Sequence, residues 1–158
     1  MFLMNTAKYV LDTNVFINMQ RHHPNDVFSS LWAKISDAIE DGTIISCDEV
    51  LDELSIGDDF LKAWAKQRKT AFVQSGADVQ QLVRDILQNH PTLLTGSRKS
   101  NNADPFVIAL AKLRNCALVS DETVAGPRNP EKIPNVCKAY NVRLIKFVDF
   151  LREMKFKI

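Results

Sequence analysis

Four acidic residues are spaced so that one divalent-cation site could gather them: Asp12 at the end of an apolar strand, Glu53 on a helix, Asp104 opening another helix, and Glu122 after a second strand. Mg²⁺ and Mn²⁺ are hard cations bound through oxygen at roughly 2.0–2.2 Å, and they retain several waters. A nuclease site often holds two of them about 3.5–4 Å apart, with one carboxylate bridging and the others orienting the attacking water in line with phosphorus. Without a cation, two ionised acids about 4 Å apart repel by about 4 kcal/mol at an effective dielectric of about 20. Such a cluster therefore points to a metal and to phosphodiester cleavage.

Each acid also has an ordinary explanation. Asp12 could accept backbone N–H bonds in the turn after its strand. Asp104 stands directly before Pro105 at a helix start, which is how an N-cap reads. Glu53 lies one turn after Glu49, and both could be solvated helix-face carboxylates. Asp121-Glu122 could be loop polarity. The joint pattern favours function: two acids follow strands, and two lie near the starts of helices that would flank them.

The elements that must position these acids alternate between strand-like and helix-like along the whole chain, which argues for a parallel sheet flanked by helices. Lys8 to Ile17 reads as a buried strand that ends on Asp12 and turns directly into a helix, and parallel sheets collect ligands at the carboxyl ends of their strands. Asn25 to Asp41 reads as an amphipathic helix with Val27, Phe28, Leu31, Trp32 and Ile35 on its core face and Gly42 as its stop. Thr43 to Ser46 is a strand, after which Asp48 caps a helix carrying Val50, Leu51 and Leu54. A helix from Asp58 or Asp59 presents Leu61, Trp64 and Ala65 inward, with Lys62, Lys66, Arg68 and Lys69 on its far face. Ala77 to Asn89 is a further helix, ended by His90-Pro91. Thr95 to Ala103 is irregular, Asp104 to Arg114 helical, and Cys116 to Ser120 a strand. A Pro-rich loop from Gly126 to Pro134 precedes a short helix at Val136 to Tyr140, a strand at Val142 to Lys146, and a closing helix with Phe147, Phe150, Leu151 and Met154. The expected architecture is α/β, three layers with a central parallel sheet of about five strands, in one domain over 1–158.

With 158 residues and 46% apolar content, the chain can bury a substantial core. No apolar stretch reaches the roughly 18 residues of a membrane span, and Met1-Phe2-Leu3-Met4 is too short for a signal-peptide core, so a cytoplasmic location without membrane association is expected. Cys47, Cys116 and Cys137 are odd in number and widely spaced, as reduced core thiols would be. The net charge is +1; with the four acids set aside, 15 acidic residues remain against 20 basic ones, a net of +5. A mildly basic surface around an acidic pit suits a polyanionic substrate.

Tyr9-Val10-Leu11-Asp12-Thr13-Asn14-Val15-Phe16-Ile17, Val50-Leu51-Asp52-Glu53-Leu54, Ala103-Asp104-Pro105-Phe106-Val107-Ile108-Ala109-Leu110-Ala111 and Leu118-Val119-Ser120-Asp121-Glu122 resemble, in order and spacing, the four acidic motifs of PIN domains. These are metal-dependent ribonucleases that include the toxins of type II toxin–antitoxin modules, and the resemblance covers nearly the whole chain. Lys132-Ile133-Pro134-Asn135-Val136-Cys137 and the segment from Asp59 to Trp64 resemble one PIN-like subgroup of poorly defined function. The resemblance implies a Mg²⁺- or Mn²⁺-dependent endoribonuclease in which Asp12, Glu53, Asp104 and Glu122 are catalytic metal ligands, with Asn14, Ser120 and Asp121 as polar helpers. It also implies RNA as substrate, an antitoxin partner and self-association. The family's fourth motif is threonine, one residue, then aspartate. Here that leaves Asp121 or Glu122 as ligand, and spacing from Ser120 favours Glu122.

Arg98 and Lys99, just upstream of Asp104, could clamp phosphate or belong to a passive polar loop. The pair His22-His23 reads as a solvated loop. A haloacid-dehalogenase-type phosphatase would need an aspartate two positions after Asp12, where Asn14 stands. A receiver domain would need paired acids after the first strand and a separate strand-end aspartate in mid-chain. A non-catalytic PIN-like module that binds RNA or protein is the alternative from another class.

Overall fold

The computed structural model describes residues 6–94 and 102–158. Its centre is strand β1, Tyr9–Leu11, with all three residues buried. A strand apolar on both faces belongs in the middle of a parallel sheet covered by helices on each side. β1 pairs in parallel with β2 (Ile44–Cys47) on one side and β4 (Ala117–Val119) on the other, with Val10 opposite Ile45 and Leu118. β3 (Phe72–Val73) and β5 (Leu144–Ile145) complete a five-stranded parallel sheet in the order β3-β2-β1-β4-β5. The chain order reverses between β1 and β4, and such a switch point opens a crevice at the carboxyl ends of the strands.

Eight α-helices flank the sheet among the described residues: α1 Thr13–His22, α2 Ser29–Glu40, α3 Asp48–Leu54, α4 Asp59–Lys66, α5 Ala77–Asn89, α6 Asp104–Arg114, α7 Ile133–Tyr140 and α8 Phe147–Glu153. This is the expected three-layer α/β arrangement. α6 is the most deeply inserted, with Val107, Ile108, Ala109, Leu110 and Ala111 all buried, because it packs on β1, β2, β4, α5 and α7 together. Trp32 and Trp64 meet edge to face at 5.1 Å and join α2 to α4. The three cysteines are free and buried, as expected of core thiols.

Several local expectations are corrected. α2 begins at Ser29 rather than Asn25, because the Pro24 carbonyl accepts the N–H groups of Val27 and Phe28 in a separate turn. Val27 is consequently 69% exposed instead of lying on the core face. Asp48 is the first residue of α3 and Cys47 occupies its cap position. Arg68 is not on the outer face of α4: it stacks over the Trp64 ring at 4.4 Å and donates to Ser36 Oγ and the Trp64 carbonyl. His22 is the exposed last residue of α1, and His23 caps that helix with its ring edge-on to Phe28 at 5.1 Å, so His22 is solvated as expected but lies on a helix, and His23 is partly buried. β3 was not foreseen as a strand.

Candidate active site

Asp12 is the first residue beyond β1, and its N–H donates to the Val119 carbonyl on β4, which pins it at the switch point. It is 1% exposed. Ser120, equally buried just past β4, donates its hydroxyl to Asp12 Oδ2 at 3.1 Å and accepts the Glu122 N–H at 3.3 Å. One serine thus links the ends of the first and fourth motifs. Burial pushes the Asp12 carboxyl up from its ordinary 3.8 to about 7, the Glu122 carboxylate adding to the effect and Glu53 contributing further. The Ser120 hydroxyl and the Thr13 backbone oppose that shift without cancelling it.

Glu53 reaches the same region from the last turn of α3. Its Oε1 accepts the Thr13 hydroxyl at 2.6 Å and its Oε2 the Ala103 N–H at 3.4 Å, so it bridges the start of α1 and the start of α6. Burial raises its carboxyl above the usual range, against the pull of those donors. Asp104 is 7% exposed at the first position of α6. The cap position belongs to Ala103, whose carbonyl accepts the Phe106 and Val107 N–H groups. A pure N-cap role for Asp104 is therefore not what the helix shows.

The neighbours Asp121 and Glu122 diverge, as adjacent side chains in extended backbone do. Asp121 Oδ1 accepts the Phe147 N–H at 3.0 Å and so caps α8 away from the other acids. Glu122 turns toward Asp12, and its Oε2 accepts the first N–H of α7, from Ile133, at 3.1 Å. A helix N-terminus favours an anion there. Asn135 fastens this loop: its Oδ1 accepts the Ala125 and Lys132 N–H groups, each at 3.0 Å, and its Nδ2 donates to the Ala125 carbonyl at 3.4 Å. That is the physical content of the Lys132 to Cys137 motif, with Pro134 fitting the first helical turn.

Asn14 is half-buried at the second position of α1. Arg98 and Lys99 lie outside the described residues. Two contributors escaped the sequence reading as individuals, Thr13 and Cys137. Thr13 is signalled only as a hydroxyl directly after the strand-end acid. Cys137 has no such signal; burial and then the Asp12 and Glu122 carboxylates push its thiol up to about 12.

The donor set is all oxygen and suits a hard divalent cation. Burial, and after it the Glu122 and Glu53 carboxylates, raise the Asp12 carboxyl, and a cation bound beside it would favour the charged form. As folded, no group of three or more His, Cys, Asp or Glu side chains among the described residues is placed to hold a metal ion. The Glu53 and Glu122 carboxylates are turned to hydroxyl and backbone donors instead.

A family model described as a domain of unknown function, DUF4411, matches residues 9–158. The chain belongs to that family. Two solved structures resemble this DUF4411 chain along most of their length. VapBC2 from Rickettsia felis, bound to a DNA fragment from its promoter, matches with a TM-score of 0.53 at 18% identity over 87% of this chain and 97% of that one. FitAcB from Neisseria gonorrhoeae matches with a TM-score of 0.52 at 16% identity over 87% and 96%. At these identities the likeness shows the fold, which is PIN-like. A comparison with curated proteins finds no match. Among the described residues no helix is long and apolar enough to cross a membrane.

Proposed function

We propose that this protein is a Mg²⁺- or Mn²⁺-dependent endoribonuclease, the toxin of a toxin–antitoxin pair, with Asp12, Glu53, Asp104 and Glu122 as the residues that hold the cation. The observation that carries the proposal is Asp12: a fully buried carboxyl at the switch point, raised to about 7 by burial first and then by the Glu122 and Glu53 carboxylates. A bound divalent cation supplies Lewis acidity and lowers the pKa of water. Asp12, held by the Ser120 hydroxyl, would be one of the oxygen ligands. Glu53 is aimed by Thr13, and Glu122 is steadied by the Ile133 N–H. The partner implied by the solved relatives of this fold is a small antitoxin, and the substrate implied by the acidic pit in a mildly basic surface is RNA.

The expected result is cleavage of single-stranded RNA in Mg²⁺ or Mn²⁺, abolished by EDTA. Asp12→Asn and Glu122→Gln should remove it with the fold intact, while Asp121→Asn, altering the group that caps α8, should keep it. Cleavage retained in Asp12→Asn, once contaminating nuclease is excluded, would overturn the proposal. The engaged carboxylates of Glu53 and Glu122 favour one second reading, a PIN-like module that binds RNA or protein without cutting it. RNA bound but not cleaved in either metal would select that module.

A further inference from the structure

Past the ends of β4 and β5 the parallel ladder continues for one more pair. The Ser120 N–H donates to the Ile145 carbonyl at 3.0 Å, as the Leu118 N–H does to the Arg143 carbonyl at 2.8 Å. Lys146 therefore stands beside Ser120 as Leu144 stands beside Leu118. Its backbone is extended, with φ −79° and ψ 159°. Paired residues of neighbouring strands point to the same face of a sheet, with the strands about 4.8 Å apart. The Lys146 side chain thus leaves on the face from which the Ser120 hydroxyl reaches Asp12. Asp121, the next residue along, accepts the Phe147 N–H instead. Lys146 is exposed and forms no ion pair among the described residues.

A cavity of about 320 Å³ opens at this edge, lined by Ser120, Glu122 and Lys146 together with Val124, Pro134 and Leu144. It adjoins the acid set because Ser120 and Glu122 belong to both. Apolar walls with a few polar groups are the make-up of a site that holds a small organic body. Among the described residues Glu122 is the one carboxylate that lines it. With a cation on Glu122, the charge left in the cavity is the Lys146 ammonium. We infer that this cavity seats the nucleotide flanking the scissile phosphate, with Lys146 on that nucleotide's own phosphate; the inference rests on the ribonuclease proposal above. An ammonium binds phosphate as a point charge, while the apolar walls cover sugar and base. The described lining holds no carboxamide, guanidinium or aromatic ring, so the seat reads backbone rather than sequence.

The test is binding of labelled single-stranded oligo(U) and oligo(A) across a salt series, with Ca²⁺ in place of Mg²⁺, alongside steady-state cleavage in Mg²⁺. Lys146→Gln should reduce the slope of log Kd against log salt by about 0.7 on both oligomers, the share of one phosphate on a single strand. It should also raise KM severalfold with kcat little changed, as loss of an interaction made equally in ground and transition states does. Lys146→Arg keeps the charge and should restore both. Val124→Asp, which adds a like charge to the lining, should weaken binding. Lys8→Gln removes one charge just before β1, at the opposite edge of the sheet, and should keep the wild-type slope. A slope unaltered by Lys146→Gln, altered equally by Lys8→Gln, or not recovered by Lys146→Arg would overturn the inference while RNA cleavage stands. If the slope responds as expected and no RNA is cut, the strand seat stands and the ribonuclease proposal falls; a wild-type protein that binds no RNA would overturn both.

Discussion

Asp12 retains its proton far above the ordinary carboxyl range because burial removes water and the Glu122 and Glu53 carboxylates oppose its charge. A raised pKa has a definite sign for stability. The folded protein binds the proton more tightly than the unfolded chain, so the contribution is complete below about pH 4 and is lost as the pH rises through about 7. A shift from 3.8 to about 7 corresponds to roughly 4 kcal/mol. Burial moves the Glu53 carboxyl in the same direction. In EDTA, the melting temperature should therefore fall between pH 5 and pH 8 by several degrees, at about 2–4 °C per kcal/mol for a chain of this size. Asp12→Asn, which cannot ionise, should flatten most of that slope. Melting curves that rise over this interval, or that fall equally in the variant, would refute the electrostatic account. Asp12 and Glu122 were legible in the sequence because they follow strands and Asp104 because it opens a helix, whereas Glu53, in the last turn of α3, was legible only through the motif that holds it. Their partners were not: the hydroxyl of Thr13 on Glu53 and the Ile133 N–H on Glu122 depend on where α3 and α7 come to rest.

At the scale of elements, Asn135 decides where Glu122 stands. Three hydrogen bonds from its carboxamide join α7 to the loop after β4, and Glu122 adds a fourth tie through Ile133. Asn135→Ala should cost about 1–3 kcal/mol in urea denaturation. It should also lower metal-dependent cleavage by releasing the loop. Asn135→Asp keeps the acceptor for Ala125 and Lys132 and should recover much of the loss, whereas equal damage in both variants would assign the role to the donated bond alone. The elements differ in how openly the sequence declares them. α5 has the bounds that periodicity sets, Ala77–Asn89, because thirteen residues of 3.6-residue pattern outweigh local noise. β3 is two residues long and exists through its pairing of Phe72 with Ser46 and Val73 with Cys47, a partner no local pattern reveals. The start of α2 was displaced by turn chemistry at Pro24, and Arg68 was misread because its stem and guanidinium lie along Trp64 rather than in water.

Over the whole molecule, the order β3-β2-β1-β4-β5 brings Asp12 and Glu122 to the same sheet edge from opposite halves of the chain, and α3 and α6 carry Glu53 and Asp104 to its flanks. The fold thus gathers like charges at one pole, and any ligand that binds only this folded arrangement stabilises the protein by mass action. Mn²⁺ should raise the melting temperature, with each tenfold increase above the dissociation constant adding about 1.4 kcal/mol. The response is independent of catalysis, so it separates cation binding from RNA cleavage. Asp12→Asn should remove it. Asp104→Asn tests whether the acid that starts α6 is a ligand: a ligand loses its charge and the Mn²⁺ response weakens, while a residue that only begins the helix, the cap being Ala103, leaves that response unchanged. Carboxylates that turn from backbone donors to a shared cation should also make the wild-type response cooperative with loss of the Thr13–Glu53 bond, so Thr13→Val should shift the Mn²⁺ midpoint while leaving its maximum effect. A melting temperature indifferent to Mn²⁺ in the wild-type protein would leave the buried acids without a counter-ion and would defeat the metal assignment.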